Sequence, residues 1–203
     1  MEKILQQFKS RRNRVSLLQT KRGPVVQKTY LITDCCLREL QVYEKLRDSD
    51  LPHVALLDKG ESWIWLQPVQ GYDLVSILEE QETSGQICWD PWRQLVFWLV
   101  RFEKITGLVM ADLNLRNFLY ASEDKTLYGL DFEECTEGSL VQTAALLTAY
   151  ILHYAPEETP VKRKIAEYVL HQFSEHLHAD MRELLLETKK QEAFLLSRRK
   201  SRR

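Results

Sequence analysis

The stretch Met110-Ala111-Asp112-Leu113-Asn114-Leu115-Arg116-Asn117, followed by Gly129-Leu130-Asp131-Phe132-Glu133-Glu134, decides how this chain is to be read. Three polar side chains stand out in it: Asp112, Asn117 and Asp131. The apolar residues around them (Leu113, Phe118, Leu119, Leu127, Tyr128, Leu130) predict two short strands that hang a loop at one end. A carboxylate five residues before a carboxamide, with a second carboxylate fourteen residues further on, is what a divalent-metal phosphoryl-transfer site requires. One acid orients a hydroxyl or takes its proton, while the amide oxygen and the other acid offer hard oxygen ligands to magnesium. Asp and Asn are also ordinary turn formers, so the chemical reading stands only if the rest of the chain agrees.

Composition sets the bounds. At 203 residues the chain can bury one good core, or two small lobes sharing a cleft. With 44% hydrophobic and 28% charged residues it reads as an ordinary globular protein, and a net charge of −1 gives no global field for nucleic acid or membrane. The basic runs from Lys9 to Arg14 and from Arg198 to Arg203 are expected to be solvated; an RNA or ribosome contact through the C-terminal one is the alternative. Cys35, Cys36, Cys88 and Cys135 show neither a CxxC pair nor ligand spacing, which predicts reduced thiols. The first residues lack the apolar stretch of a signal peptide, and the longest apolar run, Leu95 to Val100, is too short to cross a bilayer. The expectation is a cytoplasmic protein with no membrane partner.

Working back from the loop, the first thirty residues pattern as a β-meander: Ile4 to Phe8, Val15 to Gln19, and Pro24 to Tyr30, with a tight turn at Lys21-Arg-Gly-Pro24. Lys28 sits inside the third strand. A helix capped by Thr33 or Asp34 follows, with Leu37, Leu40, Val42, Tyr43 and Leu46 at helical spacing. His53 to Leu57 and Ser62 to Leu66 complete the strands, and Gln67 to Gly71 reads as an extended hinge. From Tyr72 the chain turns helical. A short helix runs from Asp73 to Leu78, Gln81 to Gln86 is a polar loop, and Asp90-Pro91 opens a helix apolar almost all round. Further helices span Gly138 to Tyr154, start at Thr159-Pro160, and start again at Ala179-Asp180. The predicted organisation is α+β: residues 1–66 as an antiparallel-sheet lobe with one helix, 67–71 as hinge, and 72–203 as a mainly helical lobe.

This order of features resembles the protein-kinase-like superfamily, on the side of small phosphotransferases of the aminoglycoside phosphotransferase, choline kinase and RIO types. Met-Ala-Asp112-Leu-Asn-Leu-Arg-Asn117 is similar to the catalytic loop, and Asp131-Phe132-Glu133 to the metal-binding Asp-Phe-Gly. Lys28 is similar to the strand lysine that contacts nucleotide phosphates, and Glu39 to the helix glutamate that holds it. The resemblance implies a two-lobed fold with ATP and Mg2+ between the lobes. It assigns Asp112, with Lys28 and Glu39, to catalysis, and Lys28, Arg12, Gln67, Val69, Asn117 and Asp131 to the nucleotide, with Asn117 and Asp131 on the metal. Glu44 competes with Glu39 for Lys28, but five residues on it lies about 140° around the helix.

Three departures accompany it. Met110 and Ala111 stand where the family has His and Arg or Gly, the Lys9 to Arg14 loop contains no glycine, and Glu133 adds a carboxylate beside the metal. In that loop Arg11, Arg12 and Arg14 are candidates for contacting phosphates through their side chains. The implied activity is transfer of the γ-phosphate to a hydroxyl of a protein Ser/Thr or a small alcohol. The alternatives are a pseudokinase acting as a binding module, and an RNA- or ribosome-associated ATPase switch.

Overall fold

The computed structural model describes residues 2–10 and 12–200, with side chains up to 197. Arg11 and the basic tail from Arg198 to Arg203, both singled out in the sequence, lie outside the described side chains.

Three β-rich segments separated by turn residues pair as a meander: β1 (Lys3–Phe8), β2 (Asn13–Thr20) and β3 (Gly23–Tyr30). Helix α1 (Thr33–Leu46) crosses to β4 (Leu56–Lys59) and β5 (Trp63–Leu66), giving one antiparallel sheet in the order β1-β2-β3-β5-β4. β3 is the central strand. Lys28 is flanked by Val15 on β2 and Ile64 on β5. Because side chains alternate along a strand, Lys28 and Tyr30 share one face; both are buried there.

Several boundaries differ from expectation, each for a local reason. The α1 N-cap is Ile32, which offers no side-chain acceptor; Asp34 sits inside the first turn, where its charge favours the helix dipole. The strand expected from His53 begins only at Leu56, because the segment before it turns to the helical half: His53 bridges Gly129 in parallel, and the Val54 amide donates to the Gly129 carbonyl at 3.3 Å.

Beyond the strand pair β6 (Tyr72–Asp73), the helix α2 (Leu74–Ser84) runs through the residues expected to form a polar loop. Asp73 caps it by accepting from the Ser76 amide at 2.8 Å, and Gly85 ends it in the left-handed region at φ 69°. Its polar residues find partners inside: Gln81 accepts from Trp92 Nε1 at 3.0 Å and donates to the Cys88 carbonyl at 3.2 Å.

Helix α3 (Asp90–Thr106) has Trp89 rather than Asp90 at its N-cap, and it is amphipathic rather than apolar all round. Phe97 is exposed beneath the Arg101 guanidinium, while Trp92, Leu95, Val96, Trp98, Leu99 and Phe102 are buried. The chain then forms β7 (Val109–Met110), a turn of 3-10 helix at Leu115–Asn117, β8 (Phe118–Ala121), β9 (Thr126–Gly129) and β10 (Cys135–Thr136). β8 and β9 join β6 in one small sheet, and β10 pairs with β7 in another.

Helices α4 (Leu140–His153), α5 (Pro160–Leu177) and α6 (Met181–Lys200) complete the fold, with α4 packed against both others. A fully buried Lys162 ties α5 to α2, donating to Glu82 at 2.7 Å and to the Pro156 carbonyl at 2.6 Å. No helix among the described residues is long and apolar enough to cross a membrane. All four cysteines are free.

One apolar cluster runs through sheet and helices alike, and Phe132 stands at its junction. Its ring stacks on Phe102 at 5.6 Å and Trp98 at 6.2 Å, and meets Tyr43 of α1 edge-on at 5.3 Å. Gly129, three residues earlier, lets the chain pass directly under the Trp98 indole, where a Cβ would collide with the ring. Truncation of Phe132 to alanine removes the contact between α1, α3 and this segment. It is expected to cost about 3–5 kcal/mol, the usual range for a buried phenylalanine. Denaturant unfolding of Phe132→Ala beside wild type measures it.

Candidate functional site

Lys28, buried on the central strand, is the point on which separate segments converge. Its Nζ donates to Glu39 Oε2 at 2.6 Å and to Asp131 Oδ1, and lies 3.3 Å from Glu133 Oε2. Glu39 comes from α1, and Asp131 and Glu133 come from the segment after β9. Glu44 takes no part; it is exposed and paired with Arg47.

Burial opposes the charge on Lys28, but Glu39, Asp131 and Glu133 outweigh it and raise its pKa. Glu39 is fully buried, and this desolvation pushes its carboxyl up; the Lys28 charge opposes the shift. Tyr30 donates to the same Glu39 oxygen at 2.7 Å. Glu39 Oε1 and the Tyr43 hydroxyl are buried without a hydrogen-bond partner among the described residues.

The backbone around the acids is shaped to aim them. Asp131 has φ 66°, in the left-handed region that Asp tolerates better than most residues. That single turn sends Asp131 towards Lys28 while Phe132 dives into the core. Glu133 is buried too, held by Asn13 Nδ2 at 2.6 Å from the start of β2. Arg12 pairs with Glu134, so this guanidinium is engaged by the protein's own carboxylate.

Asp112 lies half-buried in the loop between β7 and the 3-10 turn. Burial raises its pKa, the Asn114 amide opposes the shift through its hydrogen bond at 3.2 Å, and the charge of Asp131 adds to it. Asn117 is buried and donates from Nδ2 to the Asp112 carbonyl at 3.2 Å, which turns its amide oxygen the other way. The Leu130 amide donates to the Asn117 carbonyl at 3.0 Å, so the two loops are stitched to each other.

Met110 and Ala111 supply no side-chain brace, but the loop is braced differently. Met110 pairs with Cys135 between β7 and β10, and the Ala111 amide donates to Glu134 at 3.1 Å. Tyr154, at the end of α4, donates to Asn114 Oδ1 at 3.0 Å and accepts from the Leu115 amide at 3.2 Å. Burial pushes its phenol up to about 12, which keeps it a donor.

The residues drawn together are thus Lys28, Glu39, Asp131 and Arg12, with Asp112 and Asn117 on the adjoining loop. Glu133, expected to add a carboxylate here, is among them, and Asn13, Tyr30 and Tyr154 join without having been expected at these positions. Gln67 stands apart in one respect: its amide donates to the Ala55 carbonyl at 2.9 Å, so it is not free as a donor to an adenine. Val69 is partly buried against the apolar cluster.

Oxygens of Glu39, Asp131 and Glu133 lie within 4.8 Å of one another, a hard-oxygen donor set suited to magnesium. Lys28 Nζ is in direct contact with all three, so a metal ion would share these carboxylates with the ammonium. No protein-family model matches the chain, and no curated protein is similar to it.

Removing the ammonium leaves surplus buried negative charge. Lys28→Met is expected to destabilise the protein by about 3–5 kcal/mol, the range for breaking a buried pair from one side. The double variant Lys28→Met/Glu39→Gln should recover part of that loss, as read by chemical denaturation of both.

Proposed function

We propose that the chain is a two-lobed, kinase-like phosphotransferase that uses ATP and Mg2+ to phosphorylate a hydroxyl. The observation that carries this reading is the meeting of Lys28 from the sheet with Asp131 from the helical half, beside the Asp112 and Asn117 loop. A lysine held by a buried glutamate is a fixed cation suited to phosphate oxygens. Residues 67–71 join the two halves as hinge and adenine-facing edge, with Gln67 limited to its carbonyl and Val69 offering both backbone groups.

Asp131 and the Asn117 amide oxygen would hold the metal, with Glu133 within reach of the same ion. Magnesium supplies neutralisation of the β- and γ-phosphate charge. Asp112 accepts a hydrogen bond from the acceptor hydroxyl and takes its proton. A bond forms between the acceptor oxygen and the γ-phosphorus as the bond to ADP breaks. The acceptor hydroxyl belongs to a protein Ser/Thr or to a small alcohol. The place of action in this proposal is the cytoplasm.

A second reading is a pseudokinase. It is favoured by the engagement of Arg12, a candidate phosphate contact, with the protein's own Glu134. The RNA- or ribosome-associated switch has the basic tail as its support.

Thermal unfolding with and without Mg-ATP, together with ATP turnover, separates these. Ligand at ~100 times its dissociation constant adds about 2.7 kcal/mol of stability. Wild type is expected to shift and turn over, Asp131→Ala to lose metal-dependent binding, and Asp112→Ala to bind without reacting. Absence of any wild-type shift would sink the kinase reading, and a shift without turnover on any protein or alcohol acceptor would favour the pseudokinase.

The pH dependence follows from Asp112. Its carboxyl is raised from 3.8 and acts deprotonated, so activity should rise with pH through an acid limb placed above that value. A pH–kcat profile limited only below pH 3.8 contradicts it.

A further inference from the structure

We propose, resting on the phosphotransferase reading above, that Glu133 makes the site select metal-bound nucleotide and reject free nucleotide. The charges around Lys28 are unbalanced. Three carboxylates, those of Glu39, Asp131 and Glu133, face one ammonium. Glu39 and Lys28 form the most deeply buried pair, and the surplus falls on Asp131 and Glu133, with Asp112 close enough to feel both.

Among the described residues, the remaining partners add no positive charge. Tyr30 and Asn13 donate neutral hydrogen bonds, and Arg12 is engaged by Glu134. A free triphosphate entering this space meets net negative charge in a partly desolvated cleft, where repulsion is screened far less than in water. A triphosphate carrying a divalent cation brings the missing charge with it, and the same carboxylates become attractive.

Glu133 is the residue on which selection turns. Asp131 is needed to bind the metal and Glu39 to hold Lys28, whereas Glu133 is held at 2.6 Å by the uncharged Asn13. It is only 6% exposed, so its charge is directed inward rather than spent on solvent. Replacing it by glutamine keeps an oxygen for Asn13 and removes only the charge.

The experiment is equilibrium binding of ATP, once with magnesium and once with chelator, to wild type, Glu133→Gln and Glu133→Asp. The quantity read is the dissociation constant with chelator divided by that with magnesium. Glu133→Gln is expected to lower that ratio by about tenfold or more, chiefly by tightening metal-free binding, as expected of one charge a few ångströms away at an effective dielectric constant near 20. Glu133→Asp, which keeps the charge, should leave the ratio close to wild type.

An unchanged ratio in Glu133→Gln, with wild type binding Mg-ATP, overturns the proposal and leaves the nucleotide site standing. Equal changes in both variants overturn it as well, because geometry rather than charge would then set the preference. If wild type binds no ATP under either condition, the nucleotide reading falls and this proposal with it.

Discussion

A buried ammonium group is the constraint on which this structure depends. A lysine taken out of water needs compensation from close carboxylates and well-made hydrogen bonds. Lys28 obtains it from Glu39 on α1 and from the segment after β9, so the sheet, its helix and the helical half are bound at one atom. The cost of isolating any of these groups makes the arrangement nearly obligatory. Placing Lys28 inward fixes the register of β3, the rotation of α1 and the direction of the 129–134 segment.

Apolar packing serves the same end. Phe132 touches Tyr43 on α1 and Trp98 and Phe102 on α3, so the ring that anchors the acidic segment also sets the distance of α1 from it. Interiors packed to crystal density transmit such constraints instead of absorbing them. The left-handed Asp131 converts that anchoring into aim, since the residue before the buried ring must point the opposite way. Tyr154 and the β7–β10 pairing hold the Asp112 loop in the same fashion, by backbone and hydroxyl rather than by a charged side chain.

Much of this was legible in the sequence, and what was not has a common cause. The α+β organisation and the five-stranded antiparallel sheet followed from strand-length apolar runs and turn residues. The Lys28–Glu39 contact was what the resemblance to the protein-kinase-like superfamily implied for these two residues. The end of α2 was misread because Gln81 and Glu82 look like loop residues until Trp92, Thr159 and Lys162 are seen to satisfy them. The strand at His53 was misread because its backbone partners lie at Gly129. Asn13 and Tyr154 carried no periodic signal, since their partners, Glu133 for the one and Asn114 and Leu115 for the other, are distant in sequence. Periodicity reports which face is buried; it does not report which polar groups will meet there.

The contacts at Lys28 also bear on the order in which the chain can assemble. Lys28 and Asp131 are 103 residues apart, and Asn13 and Glu133 are 120 apart. Contacts of such separation form late, because loop closure has to be completed before they return any free energy. The sheet can pair and the helices can nucleate locally, but until the halves dock Lys28 has only Glu39 beside it. The centre is therefore an end-point of folding, and a chain emerging during synthesis holds no complete Lys28–carboxylate cluster until residue 134 has been added and docked.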